Sequence, residues 1–146
     1  MTLTQYALTF LHQPYRWGGS NPLTGFDCSG FILELLKAFG IEPFRDGTAQ
    51  DIYAYFKTNG LQTGVGEGSF CFYGKNSSSI SHIAYMINKA QVIEAGSGDS
   101  TTTTLERAKE QGACIRIRPF NHRKDIVEII RPDYSEWVST SWGVSI

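Results

Sequence analysis

Between Cys28 and Phe39 the apolar residues Cys28, Phe31, Ile32, Leu35, Leu36 and Phe39 recur at steps of three and four. That spacing keeps one face of a helix apolar and predicts a helix over 28–39. Asp27 is a natural N-cap for it and Gly40 a natural stop. A shorter helix is predicted over 3–11, where Leu3, Ala7, Phe10 and Leu11 share a face and Pro14 prevents much continuation. A third is predicted over 48–57. After Gly60 the period changes. The stretches "SFCFYG", "SHIAYMIN", "QVIEAG", "ACIRIRPF" and "DIVEIIRP" are short, rich in β-branched and aromatic residues, and separated by turn signals, so they predict strands. "TTLERAKEQG" predicts a helical turn between two of them. "PYRWGGSNPLTGFD", between the first two helices, has the composition of an ordered loop. The tail "DYSEWVSTSWGVSI" shows no period that places it, and its Trp137 and Trp142 suit a packed tail better than a sugar- or partner-binding surface. Helices first and strands second predict an α+β fold, with the helices packed on one face of an antiparallel sheet.

Composition narrows the function classes. The 146 residues suit one domain, 1–146, with residues 133–146 the unplaced tail. A net charge of −1 gives no bulk electrostatic case for nucleic acid or an anionic membrane. The small basic group Arg116, Arg118, Arg123 and Lys124 is explained at least as well by a solvated strand edge and turn. Cys28, Cys71 and Cys114 are widely spaced, with no C-x-x-C and no histidine pair at zinc-ligand distance, so neither a metal nor a cofactor is expected. The odd count leaves a free thiol, which suits a reducing compartment. The first residues lack the features of a secretory signal, and no stretch approaches the roughly 20 apolar residues of a membrane span. Synthesis in the cytoplasm and a monomeric state are the expectations.

Cys28 changes the picture. It stands at the first turn of the second helix, on the face predicted to turn toward the sheet. Unpaired amides and the positive end of the helix dipole gather there. Both stabilise a thiolate, the nucleophilic form of cysteine, and the amides suit a developing oxyanion. A small buried core cysteine explains the position as well. A nucleophile needs a base, and His12, His82 and His122 are the candidates. His12 ends the first helix and His122 lies in the polar turn "NHRKD". His82 opens a strand expected to pack on the second helix, and a strand holds a side chain more rigidly than a turn, so His82 is preferred. If three residues, 88–90, join this strand to the next, Ile87 pairs with Gln91, and His82 and Glu94 become diagonal neighbours on one face. A two-residue turn would put them on opposite faces. Glu94 is then a candidate to orient the imidazole, with a solvated edge-strand glutamate as the alternative.

"PYRWGGSNPLTGFDCSGF" and "SISHIAYMINKAQVIEAG" resemble the NlpC/p60 family of papain-like cysteine peptidases, which cut bacterial cell-wall peptides. The resemblance covers residues 6–120. It implies the papain-like fold, with about five or six antiparallel strands behind the helices. It further implies Cys28 as nucleophile, His82 as general base and acid, and Glu94 at the position that orients the histidine, where many relatives carry His. Tyr15 matches a family tyrosine near the nucleophile that helps bind the oxyanion or orient the thiol. Asp27 and Ser29 match positions that contact the free amine of the stem peptide. Trp17 is a loop anchor that also stands on the candidate substrate side.

The implied partner is a bacterial peptidoglycan peptide, cut between D-γ-glutamate and the diamino acid. With no accessory wall-binding module and no signal in view, a phage lysin, an injected effector or an intracellular recycling enzyme would each fit. Where relatives read Gly-Asp before the histidine strand, this chain has Ser69, a departure expected to be structural. "GVGEG" and "YGKNS" fail the dinucleotide and P-loop patterns. Cys71 and Cys114 suit core packing. Two other readings stay open: an acyltransferase, amidase or deamidase using the same thioester, and an inactive virion-associated module.

Overall fold

The computed structural model describes residues 1–14, 20–21, 25–41, 47–61, 64–96, 106 and 112–134. Helix α1 (Leu3–Leu8) opens on a capping box, in which the Thr2 hydroxyl accepts from the Gln5 amide and the Gln5 side chain accepts from the Thr2 amide. It stops three residues short of the predicted 3–11. The amides of Thr9, Phe10 and Leu11 turn to carbonyls three residues back, and the Thr9 hydroxyl donates to the Tyr6 carbonyl at 2.6 Å. His12 then takes a positive φ of 71°, uncommon for a residue with a Cβ, which ends the helical path.

Two short strands, β1 (Ser20–Asn21) and β2 (Gly25–Phe26), pair within the stretch read as loop. Helix α2 (Cys28–Ala38) follows at once. Its far end is a Schellman motif: Gly40 has φ 95°, its amide bonds the Lys37 carbonyl, and the Ile41 amide bonds Leu36 at 2.8 Å. Helix α3 (Ala49–Asn59) begins where Thr48 and Asp51 exchange hydrogen bonds.

The strands are β3 (Gly60–Leu61), β4 (Phe70–Gly74), β5 (Ile80–Met86), β6 (Gln91–Ala95), β7 (Ile115–Pro119) and β8 (Ile126–Pro132). They form one antiparallel sheet in the order β3-β8-β4-β5-β6-β7. One face packs on the helices. Leu3 of α1, Phe31, Leu35 and Leu36 of α2, and Ile52 and Phe56 of α3 bury against Phe70, Phe72, Ile83, Tyr85, Ile93 and Ile115. The opposite face carries a second, smaller cluster of Cys71, Tyr73, Ala84, Met86 and Val92, covered in part by Phe120, Ile126 and Ile129. Strand β4 is therefore covered on both sides, which is why "FCFYG" is nearly unbroken apolar sequence. Gly74 ends it in a turn so tight that a Cβ would overlap the Ser79 carbonyl.

Ser69 is fully buried, and its hydroxyl donates to the Gly64 carbonyl. The stretch 103–112 lies outside the described residues apart from Glu106 and Gly112, as does the tail from residue 135 on. No helix among the described residues is long and apolar enough to cross a membrane.

Helix α2 buries Phe31, Ile32, Leu35 and Leu36 in the core between helices and sheet, so its cap is a direct test of how the layers are held. Asp27→Ala should cost about 1 kcal/mol of stability, the usual weight of a lost N-cap. Thermal or urea denaturation measures it, and an unchanged midpoint would contradict the capping role.

Candidate active site

Asp27 sets the start of α2. Its Oδ1 accepts the Gly30 amide at 2.7 Å and the Ser29 hydroxyl at 3.3 Å. The first intrahelical bond runs from the Phe31 amide to the Asp27 carbonyl. The amides of Cys28 and Ser29 therefore have no acceptor within the helix and face outward at its positive end. Cys28 is half-buried and Ser29 buried, and all three cysteines carry free thiols. Asp27 and Ser29 are thus committed to the architecture of the helix start, beside the sulfur.

The β5–β6 connection has three residues. Tyr85 pairs with Ile93, Met86 with Val92, and the Ile87 amide bonds the Gln91 carbonyl. His82 and Glu94 are consequently diagonal neighbours on one face, and His82 Nε2 lies 3.0 Å from Glu94 Oε2. Both side chains are buried, at 5% and 2% exposure, which removes the solvated-glutamate alternative.

Their face differs from the expected one. His82 stands opposite Tyr73 across the β4–β5 ladder and shares its side with Ala84, away from the helix-packed core. A bulge leaves Ser81 as an extra, exposed residue in β5. It allows Ile80 to stay in the helix-side core while His82 turns to the other face, a re-aiming typical of bulges beside active sites. Cys28 nevertheless lies close enough to act electrostatically on the His82 imidazole.

The electrostatics follow from this geometry. Burial pushes His82 toward its neutral form, but hydrogen bonds and negative charge from Cys28 and Glu94 outweigh it and raise its pKa from 6.5 to about 9. Burial likewise acts to raise Glu94, but the two histidines around it lower its pKa from 4.5 to about 2. An ionised carboxylate only accepts hydrogen bonds, so Nε2 of His82 carries a proton. The nitrogen left for Cys28 is Nδ1.

A third group joins this pair. His122 Nε2 lies 2.6 Å from Glu94 Oε1, so one buried carboxylate receives two imidazoles. Residence in a polar turn counted against His122 as a functional residue, yet this turn is pinned. The Tyr73 hydroxyl donates to the Phe120 carbonyl at 2.7 Å, Arg123 and Asp125 form a two-bond ion pair, and the Gly74 amide bonds the Asp125 carbonyl. The Tyr73 ring lies against both histidines, with Arg123 over it. The local signal in the sequence is Arg123-x-Asp125, two opposite charges spaced to close a turn.

Among the remaining candidates, His12 is exposed on its turn, with its amide on the Ile115 carbonyl. Tyr15 and Trp17 lie outside the described residues. Cys71 is buried on the cluster's face, and Cys114 bridges Pro14 just before β7. Among the described residues no group of three or more His, Cys, Asp or Glu is placed to hold a metal ion.

Two measurements follow. Iodoacetamide should label Cys28 in the folded protein and spare Cys71, whose thiol burial pushes up to about 12, until the chain unfolds. Peptide mass mapping against time reads this, and equal native rates at the two cysteines would contradict it. The Glu94 contribution to stability is present above its ordinary 4.5 and is lost as pH falls toward 2; the His82 contribution is present below 6.5 and is lost as pH rises through about 9. The melting-temperature difference between wild type and Glu94→Gln should therefore be largest between pH 4.5 and 6.5 and shrink on both sides. A difference independent of pH would exclude the ion pair.

Comparison with known proteins agrees with the sequence resemblance. The bifunctional muramidase/DL-endopeptidase CwlT of Bacillus subtilis (strain 168) is 32% identical over 96 residues, 64% of this chain and 28% of CwlT. The probable peptidoglycan endopeptidase LytE of the same organism is 30% identical over 106 residues, 73% of this chain and 30% of LytE. The chain thus spans under a third of either relative. Among solved structures, the non-catalytic NlpC/p60 domain protein RipD of Mycobacterium tuberculosis superposes with a TM-score of 0.64 at 16% identity, covering 91% of this chain and 98% of RipD, a likeness of fold alone. The NlpC/P60 family model matches residues 12–118, which takes in the start of α2, the β5–β6 hairpin and most of β7, and this chain belongs to that family.

Proposed function

We propose that this protein is a cysteine endopeptidase that hydrolyses an amide bond in peptidoglycan stem peptides. One observation carries the reading: the buried His82–Glu94 pair, whose imidazole also feels the Cys28 thiol. The activities named for CwlT and LytE supply the substrate class. RipD keeps this fold without catalysis, so family membership alone does not make an enzyme; the reading rests on the side chains.

In the proposed reaction the Cys28 thiolate attacks the scissile carbonyl, and the negative charge that forms on oxygen is met by the outward amides of the α2 start. His82, as imidazolium, gives its Nδ1 proton to the leaving amine, the C–N bond breaks, and a thioester remains. Water then attacks the thioester while His82 takes its proton, and the returning imidazolium and thiolate close the cycle. Glu94 keeps the Nε2–H tautomer and stabilises the imidazolium through a charge-assisted bond. Tyr15 is assigned to the oxyanion or to thiol orientation. Asp27, Ser29 and Trp17 are assigned to the substrate side, the first two in addition to their structural bonds. The bond favoured is that between D-γ-glutamate and the diamino acid, in keeping with the DL-endopeptidase name of CwlT.

Digestion of purified peptidoglycans of several chemotypes, with mass identification of the new termini, tests both the activity and the bond. Cys28→Ala should abolish cleavage with the fold intact. His82→Ala should lower turnover by about two to four orders of magnitude, the usual weight of a positioned base. Full activity in either variant, or cleavage only of non-wall amides, would refute the assignment.

A further inference from the structure

We propose that His122 is a positioning residue for this site: its Nε2–H holds one oxygen of Glu94 so that the other is fixed on His82. The inference deepens the reading above and rests on it. It extends the set from three groups to a chain of four, Cys28–His82–Glu94–His122.

A glutamate side chain has three rotatable bonds, and a carboxylate gripped at one oxygen can still swing about the last of them. Here Oε2 meets His82 at 3.0 Å and Oε1 meets His122 at 2.6 Å, so the carboxylate plane is fixed from both sides. At 2% exposure little water reaches it, and a buried carboxylate oxygen without a donor is costly. His122 itself is only 12% exposed, which leaves its ring little room to turn away. The turn that carries it is tied to β4 through Tyr73 and Gly74 and closed by the Arg123–Asp125 pair. These ties deliver the His122 ring to one oxygen.

The choice of imidazole also has an electrostatic sense. The groups around His122 are Glu94 on β6, His82 on β5, Tyr73 on β4, Arg118 on β7, and Arg123 and Asp125 of its own turn. Burial, helped by the positive charges of Arg118 and His82, lowers its pKa below 6.5 against the pull of Glu94. At neutral pH it is therefore an uncharged donor. A lysine or arginine here would satisfy the same oxygen but spend the Glu94 charge on itself. A neutral donor fixes the geometry and leaves that charge to the His82 imidazolium.

The test compares His122→Gln with His122→Met, two unbranched side chains of similar size of which only glutamine can donate. His122→Met should lower kcat on wall peptides by about ten- to a hundredfold with KM nearly unchanged, the range seen for outer partners that orient a working ligand. The His82 NMR titration midpoint should fall below that of the wild type, and native Cys28 alkylation should slow. His122→Gln should restore all three to near wild type. Equal behaviour of the two variants in the titration and the alkylation would overturn the proposal. Those two arms need no substrate, so they judge it even if wall peptides prove not to be cut. Nitrogen-15 NMR of the wild type adds a check that needs no variant: His122 should be a neutral Nε2–H tautomer at pH 7, and an Nδ1–H or doubly protonated ring would overturn the assignment.

Discussion

A single buried carboxylate organises the candidate site of this molecule. Glu94 is ionised, almost wholly removed from water, and bonded by an imidazole at each oxygen. An isolated charge in such a place would cost many kcal/mol, so the fold must bring donors to it. Two separate pieces of backbone do so. The β5–β6 hairpin, its face set by the bulge at Ser81, puts His82 on the Glu94 diagonal, and the turn after β7 folds back to supply His122. Cys28 comes from a third piece, the Asp27-capped start of α2, which is anchored by burial of Phe31, Ile32, Leu35 and Leu36. Core packing on one side of the sheet thus fixes a polar constellation at its end.

What could be read beforehand were the features set by local rules. Both ends of α2 follow from Asp27 and Gly40, because capping chemistry is nearest-neighbour chemistry. The strand stretches are visible from composition, but the pairing of His82 with Glu94 is legible only on the condition that three residues, 88–90, join their strands, a register the structure supplies. What escaped depended on contacts distant in sequence or on irregularity. The face of His82 turns on a one-residue bulge, which interrupts the strict alternation that a strand pattern assumes. The worth of His122 turns on Tyr73, 49 positions earlier, and on Gly74, neither of which marks the turn 120–124 as rigid when read alone. The early end of α1 turns on His12 taking a left-handed conformation that nothing in its residue type announces.

The two faces of the sheet divide the labour. The helix side is a continuous apolar core with ring contacts such as Phe56–Phe70 and Phe70–Tyr85. The other side mixes a small apolar cluster with Tyr73, His82, Glu94 and His122. RipD, described as non-catalytic, shares the fold.

The connection between β5 and β6 acts as a ruler. Asn88 clamps it by accepting the amides of Ala90 and Gln91, each at 2.8 Å. Most of its composition is free to drift, since Lys89 and its neighbours are solvent-facing, but its residue count is not. Gaining or losing one residue would rotate every later side chain of β6 by half a turn, sending Glu94 into the oily interior and Ile93 into the polar niche. Insertions and deletions here are therefore filtered far more harshly than substitutions.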